Sequence, residues 1–434
     1  MPTKYYLNKK YLYLILISTI YSVAYILSYR YFLNTYFEYM GYIIVDRPLK
    51  FWLLSIFISV LPVFLYRGCL AISSFISLFI YLVLYIPTIL TFAFASKEQI
   101  NIILFVQLVF MCGMSLFFYA DRFIFKNQKI GFKQKLSTRF FLYITVIATL
   151  YILWIFRNNM NLVSFSDVYI QRSLTQEIGS GIVPRYIASW LATFLIPLCL
   201  SYGLFYRKYL YSIIGIIACI ILYMSTAAKG TILLPFSFFF LYFILNKFGI
   251  DRIFSTLASV LSISIITLVI LTKPDTLMFM ISSVFMMRTI SIGGISNVNY
   301  YDFFLTHPNT YFSHVGIINK ITGYYPYGNI SIGETIGFFL FDTDVNANAN
   351  FWATDGIASF GIFGIIIISL IFFLFLILLN TVTKKYNRTF IILLFLGFIG
   401  TLLNTSLFSS LMSGGGIFII ISLFFLDKEQ LNNL

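Results

Sequence analysis

"WATDGIASFGIFGIIIISLIFFLFLILL", residues 352–379, carries one charge, Asp355, near its start and none after it. At about 1.5 Å of rise per residue, a run of this length exceeds the roughly 30 Å hydrocarbon core of a bilayer. A helix resting on a soluble core keeps a polar stripe for water, and this one keeps none. The stretch reads as a membrane span, and it is not alone.

The chain of 434 residues has a mean hydropathy of +0.92 and only 10% charged residues, where a soluble protein carries about a quarter. Its 50 Phe and 32 Tyr suit lipid-facing rings and interfacial belts better than a soluble core. Spans are expected near 11–29, 51–66, 69–95, 100–119, 140–156, 185–206, 209–224, 231–245, 253–272, 352–379, 389–407 and 411–426. The fold class is all-α: residues 1–434 form one integral membrane domain, a polytopic bundle of about 12 transmembrane helices. Lys4, Lys9 and Lys10 precede an apolar run, 11–29, that lacks a small-residue cleavage site, so a retained first helix is expected and not a removed signal peptide. Pro87, Pro197 and Pro235 fall in or beside spans, where packed neighbours can satisfy the backbone groups they free. Cys69, Cys112, Cys199 and Cys219 all lie in apolar runs without CxxC or Cys/His spacing, which predicts buried reduced thiols and no zinc site.

Charge orients the bundle. With the N-terminus and every second connection taken as cytoplasmic, 18 of the 29 Lys and Arg but only four of the 15 acidic residues fall inside. The entire net charge of +14 then lies on the cytoplasmic face, as the positive-inside rule requires, and both termini are cytoplasmic. This basic charge sits in short juxtamembrane loops with no folded binding module, so anionic lipid headgroups are the expected partner and nucleic acid is not.

Two outer segments are too long to be turns, 157–184 and 273–351. They, and the boundaries beside them, hold basic residues that are costly near a membrane unless solvated or paired: Arg172, Arg185, Lys229 and Arg288. Each can snorkel to the interface; as a set they can grip a diphosphate. His307 and His314 lie seven apart, about 10 Å along a helix, too far to share a metal, and no metal site is expected. His307 suits a general base or a hydroxyl-orienting group, and equally a helix cap. Asp342 and Asp344 form a short DxD, and Asp355 stands at the start of the 352–379 span with Gly356, Gly361 and Gly364 behind it, spacing that permits close helix approach. Asp355 is expected either to cap that helix or to pair with an outer arginine. Tyr300, Tyr301, Tyr311, Tyr324 and Trp352 can stack on sugars or serve as belt residues. Walker A and Rossmann fingerprints are absent from the sequence, so ATP-driven transport and dinucleotide chemistry have no support.

Four stretches, "DVYIQRS" (167–173), "STAAKG" (225–230), "MMRTISIGG" with "NVNYYDFFLTHPNTYFS" (286–313) and "NANFWATDGIASFGIFG" (348–364), together resemble the bacterial O-antigen/polysaccharide repeat-unit polymerases (Wzy-type). The resemblance is most specific over 160–365. It implies a GT-C-like membrane glycosyltransferase of the bacterial cytoplasmic membrane. Such an enzyme joins undecaprenyl-diphosphate-linked oligosaccharide repeat units at the outer face, without metal or cofactor and with a chain-length regulator protein as a further partner. Residue by residue, Arg172 and Arg288 match the family's loop arginines, His307 matches a His-Pro, and Lys229 stands where members often carry arginine. The resemblance implies outer-face arginines as the diphosphate grip. Together with the chemistry of the residues above, the expected catalytic residues are Arg288, His307 and Arg172, with His307 or an outer carboxylate assisting deprotonation. The expected diphosphate- or substrate-binding residues are Lys229, Arg185, Asp355, Asn350, Tyr300 and Tyr311.

The neighbouring enzyme classes are an O-antigen ligase and a polyprenyl-phosphate-sugar transferase; the latter usually places an acidic residue in the first outer loop, where Glu38 and Asp46 stand. A lipid-linked oligosaccharide flippase or transporter is the non-enzyme alternative. Its class features internal repeats and broken helices with mid-membrane ionisable groups.

Overall fold

The computed structural model describes residues 2–125, 136–160, 181–342 and 346–427. Arg172 and Asp344 lie outside them. The regular elements among the described residues are helices: α1 (Tyr11–Met40), α2 (Leu49–Leu65), α3 (Ile72–Ala95), α4 (Ile100–Arg122), α5 (Thr138–Phe156), α6 (Ile182–Phe205), α7 (Tyr209–Thr226) and α8 (Lys229–Phe248). They continue with α9 (Ile250–Leu271), α10 (Leu277–Phe304), α11 (Gly316–Thr322), α12 (Ile332–Phe341), α13 (Trp352–Thr383), α14 (Arg388–Leu394), α15 (Leu396–Leu402) and α16 (Leu407–Phe425).

The protein is a polytopic helical membrane bundle, with 11 helices among the described residues long and apolar enough to cross. The difference from the expected 12 has three sources. α2 is a short apolar helix, and the expected span 389–407 breaks into α14 and α15. In the other direction, α10 is a long apolar helix inside what the sequence suggests is a loop, 273–351. Its Ser, Thr, Asn and Gly content hid it: those residues lower hydropathy, yet they are the ones that let helices pack closely and hydrogen-bond in lipid.

The chain divides into two compact units. The first comprises 1–123, 251–377 and 403–407. α3 is its buried centre. Pro87 lacks an N–H and would clash with the carbonyl four residues back, and the helix answers with a π-helical turn at Tyr81–Tyr85 just ahead of it. α1 lies along α3 through tyrosines: Tyr21 donates to the Leu82 carbonyl at 2.7 Å, Tyr25 meets Thr91 at 2.7 Å, and Tyr29 stacks on Phe94 at 4.0 Å. Gln107 of α4, fully buried, bonds Ser55 of α2 and the Ile89 carbonyl, so that no amide proton is left bare in an apolar setting. Gly293 and Gly294 let α10 approach α3; a Cβ on Gly294 would stand 2.9 Å from the Pro87 carbonyl oxygen.

The second unit comprises 124–250, 378–402 and 408–434. Its α6 repeats the device of α3, a π turn at Leu191–Leu195 followed by Pro197. Trp190 of α6 stacks on Phe418 of α16 at 4.5 Å, and Tyr386 donates to the Leu423 carbonyl at 2.6 Å. All four cysteines are free thiols. Cys69, Cys199 and Cys219 are buried; Cys112 departs from expectation and is exposed on α4.

Candidate functional site

The first unit brings two residues together that the sequence keeps well apart, His314 and Asp355. The reason is a break in α13. Phe360 (φ −144°) and Gly361 (φ +58°, ψ −139°) leave helical geometry, and the carbonyls just before the break lose their intrahelical donors. The segment after α10 supplies replacements. Asn309 Nδ2 donates to the Ile357 carbonyl at 3.2 Å, the Thr310 N–H to Ala358 at 2.8 Å and the Tyr311 N–H to Ser359 at 3.2 Å. To do so, Tyr311 (φ +48°) and Phe312 (φ +61°) both adopt left-handed backbone, at about 1–2 kcal/mol each. Strain of this kind persists only where surrounding contacts over-determine it.

This stitching sets His314 beside Asp355: Nε2 lies 2.9 Å from Oδ1. Asp355 is wholly buried, and its Oδ2 accepts the backbone N–H of Leu407. In the tautomer with its proton on Nε2, His314 donates to the Asp355 carboxyl oxygen. Nδ1 faces the Thr310 hydroxyl at 3.2 Å, and that hydroxyl also reaches the Ala358 carbonyl at 3.1 Å. One hydroxyl proton thus has two acceptors. With His314 neutral it points to Nδ1; with a proton on Nδ1 it turns to Ala358, and the Asp355 contact survives either way. A proton at Nδ1 thus asks only that the Thr310 hydroxyl turn from Nδ1 to the Ala358 carbonyl.

The other expected site residues fare differently. His307 Nδ1 meets the Phe303 carbonyl at 3.0 Å and the Thr306 hydroxyl at 2.9 Å, and its ring stacks on Phe303 at 3.9 Å. It caps the end of α10. Asn350, Tyr300 and Trp352 are each at most 1% exposed and present no face to a sugar. Asn350 Oδ1 accepts the Trp352 N–H at 3.0 Å, the Trp352 indole donates to Ser369 at 2.9 Å, and Tyr300 donates to the Ala347 carbonyl at 3.1 Å. Tyr301 is also buried. Tyr311 and Tyr324 are the members of that aromatic set that stand exposed, with ring centroids 5.3 Å apart.

Arg288 projects from the π-helical segment Ser283–Ser291 of α10 and is exposed, with no ion pair among the described residues. Its charge is felt at Tyr42, whose hydroxyl is held well above the ordinary phenol range by burial and then by Tyr25, and is drawn back by Ser291 and Arg288. Asp342 ends α12 in left-handed geometry and borders a groove of about 660 Å³ shared with Tyr39, Met40 and Phe339–Phe341. That groove does not include His314 or Asp355. In the second unit, Arg185 is exposed near the start of α6 and Lys229 is the first residue of α8. Among the described residues, no three His, Cys, Asp or Glu side chains gather in a way that would hold a metal.

His314 was visible in sequence but had nothing to single it out, since its partner lies 41 residues on. No family model, curated protein or solved structure matches the chain.

Proposed function

We propose that the protein is a membrane-embedded transferase in which His314, backed by Asp355, takes the proton of an acceptor hydroxyl. One observation carries this reading: a histidine whose one ring nitrogen is held by a fully buried carboxylate, while the other meets a hydroxyl that has an alternative acceptor. General-base assistance of this kind is worth roughly 10²–10⁴ in rate.

The reaction that fits the sequence resemblance is the joining of lipid-diphosphate-linked oligosaccharide repeat units into polysaccharide. A sugar hydroxyl of one unit attacks the anomeric carbon of another. The new C–O bond forms as the bond to the lipid diphosphate breaks, and the hydroxyl proton passes to His314 Nδ1. The leaving diphosphate is already a good anion, so the task left to the protein is to stabilise it. Arg288, exposed and without a carboxylate partner among the described residues, suits that role. Exposed Tyr311 and Tyr324 suit contact with the acceptor sugar.

The test is reconstitution of the purified protein in lipid nanodiscs with diphosphate-linked repeat units. Ladders of longer glycans support the reading, and their loss in His314→Gln supports the base. Transfer to a different lipid acceptor would instead indicate a ligase. The breaks in α13 and between α14 and α15 favour a second reading, because transporters build binding sites from discontinuous helices. Movement of an intact lipid-linked glycan across vesicles, with no ladder, would select it.

A further inference from the structure

α10 is long enough to cross a membrane, but its contacts reverse direction part-way. Its first turns pack at the C-terminal end of α1, where the Phe279 ring lies 5.1 Å from Tyr36, 5.9 Å from Phe32 and 6.4 Å from Phe37. Further along, Ser291 meets the hydroxyl of Tyr25, earlier in α1, at 2.7 Å. The first half of α10 therefore runs antiparallel to α1. From Ser291 onward the partners climb α3 in order: Gly293 lies against Leu84, Asn297 bonds Thr88 at 2.8 Å, and Tyr301 packs on Phe92 at 5.6 Å. The second half runs parallel to α3. α1 and α3 are themselves parallel, as the Tyr21–Leu82, Tyr25–Thr91 and Tyr29–Phe94 contacts require. The contacts of α10 thus run in opposite senses along the bundle before and after Ser291, and the stretch between carries the π segment Ser283–Ser291.

A second segment does the same. Trp352 bonds Ser369, Gly356 packs against Gly364 and Ile365, and the chain reverses at Phe360–Gly361. Residues 352–360 therefore run back along the rest of α13, which puts Asn350 deep in the unit. There its Nδ2 donates to the Gly293 carbonyl at 3.2 Å, where the contacts of α10 change sense.

We propose that Leu277–Phe304 and 346–360 are a pair of half-membrane segments that enter and leave by one face and are pinned tip to tip by Asn350. α10 then does not cross, and 305–342, which carries His314, returns to the face that 273–276 occupies. Backbone that leaves regular helix at membrane depth survives only where protein encloses it, and Gly293, Asn350 and Trp352 are enclosed. Asn350 suits the pin because its amide both donates, to Gly293, and accepts, from the Trp352 N–H. The inference does not depend on the chemistry of His314.

The experiment is cysteine labelling in intact and then permeabilised cells. Cys69, Cys112, Cys199 and Cys219 are first replaced, and Lys273→Cys or Lys320→Cys is introduced at exposed positions on either side of α10. A membrane-impermeant maleimide should reach both from the same side. Labelling from opposite sides means that α10 crosses and overturns the proposal. If the cysteine-free background fails to accumulate, a protease site inserted in the native chain after Lys273 or after Asn329 gives the same readout, with cleavage at both from one side expected and cleavage from opposite sides overturning the proposal.

Discussion

His314 Nε2 sits 2.9 Å from Asp355 Oδ1, although 41 residues separate them in the chain. The carboxylate is held from its other side by the Leu407 N–H, so it accepts from two elements at once and has no exposure to water. Replacing it with asparagine turns one acceptor oxygen into a donor that must face either His314 or the Leu407 N–H. Asp355→Asn is expected to cost about 1–3 kcal/mol through the unmatched buried group. Glycan-ladder formation should fall by roughly 10²-fold or more, because the imidazole loses its fixed orientation. Thermal unfolding in detergent and turnover in nanodiscs check the two effects separately.

The two histidines are expected to part company. His307→Gln removes a ring stacked on Phe303 and a cap on α10, a local change costing about 1 kcal/mol with turnover retained. His314→Gln should leave the fold intact and reduce turnover by about 10²–10⁴. Equal losses in both variants would contradict the assignment.

Arg288→Ala should spare folding, since the side chain is exposed and forms no ion pair among the described residues. Its loss should weaken capture of a lipid diphosphate, with an increase in KM of roughly tenfold, equivalent to about 1.4 kcal/mol. Arg288→Lys restores the charge but not the two-pronged contact and should recover only part of it. Normal KM in Arg288→Ala would remove Arg288 from the anion site.

Gly364 is tightly confined: a Cβ there would stand 2.0 Å from the Gly356 carbonyl oxygen, in the hairpin that holds Asp355. Gly364→Ala is expected to destabilise by about 1–3 kcal/mol or to displace Asp355, with lower turnover in either case. Gly316→Ala, with nothing within 4 Å of the new methyl group, is the control. It should be neutral or stabilise by a few tenths of a kcal/mol.

α12 offers a pH dependence with a defined sign. Ser331 and Glu334 form a capping box, and the Ser331 N–H and hydroxyl hold the Glu334 carboxyl below its ordinary value. A carboxyl whose folded pKa is depressed adds stability above its unfolded pKa and loses it as pH falls through the folded one. Amide exchange in α12 should therefore quicken as the medium is acidified below the ordinary glutamate range. Ser331→Ala removes the hydroxyl but keeps the backbone N–H, so it should weaken that dependence and quicken exchange at neutral pH.

Much of the architecture was legible because hydropathy is a local property. The long runs at 72–95, 100–122 and 352–383 announce themselves in any window of the sequence. α10 did not, since the Ser, Gly and Asn that bring it close to α3 also make it resemble a loop. The same composition set Asn350 and Trp352 among exposed candidates, whereas the fold closes both inside. His307 drew notice through its neighbour Pro308, and the structure sets its Nδ1 against the Phe303 carbonyl, as a cap would.

The sequence by itself determined that this chain belongs in a bilayer and roughly where it turns, because the cost of burying polar groups in hydrocarbon is paid residue by residue along the chain. Only the tertiary structure decided which polar side chains meet. The carbonyls freed by the break at Phe360–Gly361 draw in residues 309–312, and that contact, made between distant parts of the chain, carries His314 to Asp355.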